Sequence, residues 1–216
     1  DDYVTKPFDA QELVARVDAV IRRRESALLA SPMTRLPGGR VIDQEVLRRL
    51  EAGTPFALSY LDLDNLKAYN DTYGYAKADG VLLQLAGILR DAVAEHGGDG
   101  AFLGHVGGDD FVLLTAPERA AVVCGEAIAA FDRVIPLYYD REDRERGFIE
   151  ATDRYGARRQ FSLLALSAAT IVATPGRFRG HAELARAAAE LKHRAKSVPG
   201  SVHLVDPPPA APGTAT

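Results

Sequence analysis

Tryptophan is absent from these 216 residues, and there is one methionine and one cysteine. A single thiol excludes an internal disulfide framework. Cys124 falls in an apolar helical pattern with Ala120, Ala121, Val123, Ala127 and Ile128, which reads as a buried, inert thiol and not as a nucleophile. Also missing is any apolar run near the roughly 18 residues of a membrane-spanning helix, and no signal-peptide pattern opens the chain. A cytoplasmic protein with no membrane partner is the expectation. Neither sign of charge dominates: 26 basic against 30 acidic residues, well interspersed, leave a net charge of −4. A broad basic face is excluded, so nucleic acid is not an expected partner. The sequence opens on Asp1, without methionine and inside what reads as structure, and is accordingly read as a piece of a longer chain. What is present is 47% hydrophobic residues, enough for the core of one substantial domain with an attachment.

Along the chain, Asp1–Phe8 reads as a short strand ending at Lys6-Pro7, followed by an amphipathic helix from Gln11 to about Ser26 with Leu13, Val14, Val17 and Ile21 on one face. The turn-rich Ser31–Arg40 separates this helix from the next domain. Spacing then predicts a helix over Val41–Glu51, a buried strand from Phe56, a short helix over about Leu66–Asp71 and a longer one over about Asp79–Glu95. Two strands, Ala101–Val106 and Phe111–Thr115, flank the hairpin dipeptide Gly107-Gly108, and a helix follows over Pro117–Arg133. The charged and aromatic stretch Tyr138–Gln160 reads as an exposed insertion or an irregular hairpin. Phe161–Ala173 reads as one long central strand, then come a helix over about His181–Ala195, a strand over Ser201–Val205 and a Pro/Ala/Gly-rich tail expected to be disordered. This order predicts an α+β domain over residues 31–206, an α/β sandwich with a mixed, largely antiparallel sheet covered by helices, of the ferredoxin-like kind.

Two passages carry chemistry. LDLDNLKAYNDTYGYAKAD, from Leu61 to Asp79, delivers Asp62 and Asp64 where the first strand stops, and HVGGDDF, from His105 to Phe111, puts Asp109 and Asp110 on a tight bend. If the two strands are neighbours, Asp62 and Asp109 converge, and close carboxylates stay ionised only in water or around a divalent cation. Helix-start N–H groups near Asn65, Leu66 and Lys67 can hold phosphate oxygens, and Asn70 and Asp79 offer the paired donors and acceptors that a purine edge requires. The same acidic residues also suit caps and solvated turns. His105, with no partner histidine nearby in sequence, reads as structural or locally hydrogen-bonded.

The order D-x-D-x-x-K-x-x-N-D-x-x-G, then Asp79, then GGDDF, resembles the GGDEF family of diguanylate cyclases over about Ser31–Val205. The resemblance implies a nucleotide-cyclase-like fold that condenses two GTP molecules into cyclic di-GMP and works as a homodimer. It implies Mg2+, with Mn2+ as the alternative, bound by Asp62, Asp109 and the Leu63 carbonyl. Asp62, Asp109 and Asp110 would be catalytic, Asn65, Leu66 and Lys67 would line the phosphate loop, Asn70 and Asp79 would read guanine, and Lys192 and Lys196 would bind phosphate. Several positions depart from the family pattern: Asp110 replaces glutamate, His105-Val106 stand where an arginine is usual, Tyr75 replaces histidine and Ala78 glycine. Lys196 takes an arginine's place, Leu66 stands where phenylalanine is common, and Gly98 and Ala101 occupy the arginine and aspartate places of the product-inhibition motif. A degenerate GGDEF domain that binds GTP or signals through protein contacts is the alternative reading. Residues 1–30 resemble the last strand and helix of a response-regulator receiver domain plus a linker, which implies an upstream histidine kinase as partner. An ordinary amphipathic linker helix fits that periodicity equally.

Overall fold

The strand β1, Phe56–Asp64, runs through the middle of the molecule and is buried along nearly its whole length. The computed structural model describes residues 9–17, 29–152 and 156–207. Residues 10–17 are helical as expected, whereas the strand predicted over Asp1–Phe8, the remainder of the first helix and most of the tail lie outside the described residues. The first long helix, α1, covers Gly39–Ala52 and starts two residues earlier than its apolar spacing indicates. Next come β1, α2 (Leu66–Tyr73), α3 (Tyr75–His96), β2 (Phe102–Gly107), β3 (Asp110–Thr115) and α4 (Pro117–Val134), whose Pro117 sits in the first turn as its sequence position suggests. A 3-10 turn over Ile135–Tyr138 leads into α5 (Arg141–Arg146), β4 (Phe148–Thr152), β5 (Arg158–Ser162), β6 (Ala165–Ala173), α6 (His181–Ala195) and β7 (Val202–Asp206).

Five strands form one sheet in the order β2-β3-β1-β6-β7, antiparallel except for the parallel β6–β7 pair, while β4 and β5 form a separate hairpin. This is the mixed, largely antiparallel α+β architecture expected. Its two faces follow from strand alternation. Leu61 and Leu63 point to the side covered by α3 and α4, among Val81, Leu85, Leu89, Val123 and Phe131. Phe56 and Leu58 point to the other side, where α1 contributes Ile42 and Val46 and α6 contributes Leu184, Ala188 and Leu191. At ~25 cal/mol per Å² of apolar area these two layers are the main stabilising term. The approach of α1 to β2 is close: a Cβ on Gly104 would stand 2.5 Å from Ile42 Cγ1, so any larger residue there would have to displace the buried Ile42 side chain.

Three expectations need correction. The helix predicted from Asp79 begins at Tyr75, because Gly74, at φ 84°, turns the chain within a single residue between α2 and α3. The single strand expected over Phe161–Ala173 is two: Phe161 and Ser162 pair with β4, and Ala165 onward pairs with β1. The Tyr139 hydroxyl receives the Leu164 N–H at the corner between them, at 2.8 Å. In the stretch read as an exposed insertion or an irregular hairpin, the described residues form α5 and the antiparallel pair β4–β5, with β4 packed beside α2.

On the outer face of α1, Glu45 accepts hydrogen bonds from Arg48 and Arg49, each with contacts of 2.7 Å. The Arg48 guanidinium, then that of Arg49, outweighs burial and holds the carboxyl at about 2. A folded-state pKa below the ordinary 4.5 adds stability that is present above that value and is lost as pH falls towards about 2. Glu45→Gln should therefore cost about 1 kcal/mol at pH 7, allowing for solvent screening, and flatten the acid limb of the stability curve. Urea midpoints for both proteins across that window test this; parallel curves would contradict it.

Candidate functional site

Beyond Leu61, β1 no longer pairs with β3, although it continues against β6 to Asp64. On the side facing the β2–β3 turn, the backbone of Asp62, Leu63 and Asp64 is thus outside the ladder. Leu61 pairs with Phe111, which brings the turn directly to this open end. The turn is centred on Gly108-Asp109, one residue later than the Gly107-Gly108 dipeptide suggests, because Gly107 still pairs with Asp110 after a register shift. Gly107 and Gly108 both adopt positive φ, 146° and 60°, which explains the glycine pair.

The outcome is the expected convergence. Asp62, Asp109 and Asp110 each offer a carboxylate oxygen, all within 4.8 Å of one another. Sequence reading assigned Asp62, Asp109 and the Leu63 carbonyl as metal ligands; the geometry adds Asp110 to the acidic group. Asp62 is only 2% exposed, and burial pushes its carboxyl up, against the pull of two lysines. Those lysines arrive from the last turn of α6 and its C-cap. Lys192 Nζ stands 2.5 Å from Asp62 Oδ2 and also pairs with Asp110, while Lys196 pairs with Asp62 Oδ1 and lies 3.9 Å from Asp64. Burial alone would lower the Lys192 pKa, but its hydrogen bonds to Asp110 and Asp62 prevail and raise it. Asp64, also pushed up by burial, accepts a 2.5 Å hydrogen bond from Ser167 Oγ. The four carboxylates against two ammoniums leave two negative charges, the complement of one divalent cation.

Asn65 takes the left-handed conformation, φ 65°, and its side-chain amide donates to the Ser162 carbonyl at 3.2 Å and hydroxyl at 3.0 Å. It does not cap α2, whose first turn has no side-chain cap, so the N–H groups around Leu66 and Lys67 lack that competitor. Lys67 is exposed and reaches Asp71 at 3.4 Å. Asn70 lies near the end of α2 and Asp79 on an exposed face of α3. Among the described residues, three buried side-chain oxygens lack a hydrogen-bond partner: Asp62 Oδ1, Asn70 Oδ1 and Thr115 Oγ1. Asp62 Oδ1 has Lys196 beside it as an ion pair without an aligned hydrogen bond. An orphaned buried acceptor is costly, and Asn70 Oδ1 belongs to a residue assigned to the purine. The donor set, hard oxygens on a rigid strand and turn, fits Mg2+ or Mn2+.

His105 is structural, as expected. Only 3% exposed, it meets Ser31 Oγ at 2.8 Å and Thr34 Oγ1 at 3.1 Å through Nδ1, and the Gly108 carbonyl at 3.0 Å through Nε2. Its ring stacks on Phe111, 4.4 Å between centroids. His105 thereby ties the acidic turn to the segment before α1. Ser31, Thr34, Ser162 and Ser167 support the site without having been found in the sequence, because nothing in local spacing marks a partner so distant in the chain. Asp64 did carry a signal, since strand alternation puts it on the face of Asp62. His105→Ala should cost about 3 kcal/mol through a cavity and abandoned hydroxyls. Denaturant unfolding checks this, and a loss of under about 1 kcal/mol would show that the turn stands without its histidine.

A mixed sheet with an acidic cluster at a hairpin turn, backed by helices on both faces, defines an α+β domain with its carboxylates gathered at a strand end. The chain belongs to the GGDEF family: the model described as "Diguanylate cyclase, GGDEF domain" matches residues 30–138. It is 35% identical over 96 residues to the diguanylate cyclase DgcP of Pseudomonas aeruginosa, covering 43% of this chain and 14% of that protein. To an uncharacterized protein of Streptomyces griseus it is 35% identical over 106 residues, 47% of this chain and 43% of the relative. The chain thus spans less than half the length of these relatives. Among solved structures, the coiled coil and GGDEF domain of DgcB from Caulobacter crescentus, in complex with c-di-GMP, is similar at TM-score 0.63 and 20% identity, covering 92% of this chain and 95% of that one. The GGDEF domain of PA1120 from Pseudomonas aeruginosa matches at TM-score 0.60 and 20% identity, over 82% and 93%. Both likenesses concern the fold. No helix among the described residues is long and apolar enough to cross a membrane.

Proposed function

We propose that this domain is a response-regulator-linked diguanylate cyclase that condenses two GTP molecules into cyclic di-GMP in a cytoplasmic signalling pathway. The observation that carries the reading is the convergence of Asp62, Asp109 and Asp110, with carboxylate oxygens within 4.8 Å of one another, at the open end of the central strand. In this reading Asp62 and Asp109, with the Leu63 carbonyl, hold Mg2+ (or Mn2+). The cation, when bound, neutralises phosphate charge and lowers the pKa of the ribose 3'-hydroxyl. The chain does the rest by position. Asn65 holds the strand-to-helix corner so that the N–H groups at Leu66 and Lys67, with the Lys67 ammonium, meet phosphate oxygens. Lys192 and Lys196 supply further positive charge, and Asn70 and Asp79 grip the guanine edge. The 3'-oxygen of one GTP forms a bond to the α-phosphorus of the other as the bond to pyrophosphate breaks, and Asp110 takes the hydroxyl proton. Each domain presents one nucleotide, so two copies must face each other in a homodimer. Gly98 and Ala101 offer no charged side chain for product inhibition of the family's type. The receiver reading of residues 1–30 would place a histidine kinase upstream.

The second reading, a catalytically degenerate GTP-binding domain, has one observation in its favour: Asp110, already a methylene short, is held by Lys192. Incubating the dimerised full-length protein with GTP and Mg2+ and assaying for cyclic di-GMP separates the two. Product supports the cyclase. Magnesium-dependent GTP binding without product supports the degenerate domain.

A further inference from the structure

The residues assigned to phosphate and the residues assigned to metal are bonded to each other. Lys192 Nζ lies between Asp62 Oδ2 and Asp110 Oδ1, and Lys196 Nζ covers Asp62 Oδ1, so both oxygens of the central carboxylate face an ammonium. Asp62 is buried on the central strand, whereas the lysine side chains are 21% and 37% exposed, long, and carried by the last turn and C-cap of α6. The flexible partners are thus the cations. With the ammoniums in place, a divalent cation entering alone meets an Asp62 carboxylate already paired on both oxygens and two like charges beside it. A triphosphate entering alone meets lysines already occupied.

We propose that Lys192 and Lys196 are internal counter-ions that compete with the divalent cation for Asp62 and are handed to the triphosphate once the cation takes their place. The inference rests on the cyclase or GTP-binding reading of this site and adds its thermodynamic consequence. Metal and nucleotide bind with positive coupling, each weak alone and each strengthening the other by the same factor. The two lysines thereby make the site respond to the metal-nucleotide complex and not to free cation or free nucleotide.

The substitution Lys192→Met separates this from a simple phosphate-binding role, because its two effects have opposite signs. Titration calorimetry on the full chain, with MgCl2 alone, GTP alone with chelator, and the two together, reads both. Affinity for Mg2+ alone should rise about tenfold, affinity for GTP in the presence of Mg2+ should fall about tenfold, and the coupling factor should shrink accordingly. Lys196→Met should act in the same directions and serves if the first variant does not fold, as judged by circular dichroism. Arg194→Met removes the same charge from the same helix without touching the carboxylates and should leave Mg2+ affinity as it was. Unchanged or weaker Mg2+ binding in both lysine variants overturns the inference, as does an equal gain in Arg194→Met. If wild-type protein binds Mg2+ and GTP together but without coupling, the inference fails and the functional reading survives. Absence of any binding to the pair ends both.

Discussion

Asp109→Ala is expected to abolish magnesium-dependent GTP binding, with a loss of at least ~100-fold in affinity. Asp109 sits at the tip of the β2–β3 turn, held by two glycines and by His105, and shares a 4.8 Å cluster with Asp62 and Asp110. Its removal takes away one of the two carboxylates assigned to the cation while leaving the core untouched. The rise in melting temperature that Mg2+ and GTP together produce in the wild type should vanish, since a ligand stabilises only what it binds. Apo stability should stay within about 0.5 kcal/mol, because Asp109 is a partly exposed turn residue. Calorimetric binding and thermal unfolding on the same samples check both halves. GTP affinity that survives the substitution would show that the metal assignment is wrong.

Asp110→Glu is expected to raise the rate of cyclic di-GMP formation by ~10- to 100-fold while leaving GTP affinity unchanged. Asp110 opens β3 and points its carboxylate at Lys192. A carboxylate that must take a proton from a ribose hydroxyl acts over a short reach, and a misplacement of ~1 Å costs about a hundredfold. The added methylene supplies that reach without altering the residues assigned to phosphate and guanine. Single-turnover product formation, with binding measured separately, tests the point. A variant that binds GTP as before and turns over no faster would place the limit elsewhere, with the dimer or with the exchanged arginine at Lys196.

Much of this site was legible before any coordinates. A strand ending in D-x-D and a Gly-Gly turn followed by two aspartates place their carboxylates by local rules alone, and one assumption of adjacency made Asp62 and Asp109 meet. The helix over His181–Ala195 was legible to the residue because its apolar face is continuous from Leu184 to Ala195. Local rules failed where composition does not change but partners do. Phe161 to Ala173 is one apolar run, yet its first residues belong to the hairpin and its last to the sheet. The first turn of α3 was missed because Tyr75, Ala76 and Lys77 are exposed and show no apolar period. Charged strand β5 gave no alternation to read, since it is almost wholly exposed.

The sequence by itself determined which chemical groups stand at the open end of the central strand. It did so because side-chain alternation and glycine turns act over a few residues. Only the tertiary structure decided what those groups touch: that His105 braces the acidic turn through Ser31 and Thr34, that Ser162 fixes Asn65, and that both lysines of α6 reach the carboxylate of Asp62. The physical reason is that Leu184, Ala188 and Leu191 seat α6 on the sheet by hydrophobic burial, which is blind to the charges it carries along. Where those charges come to rest is set by the packing of the whole layer.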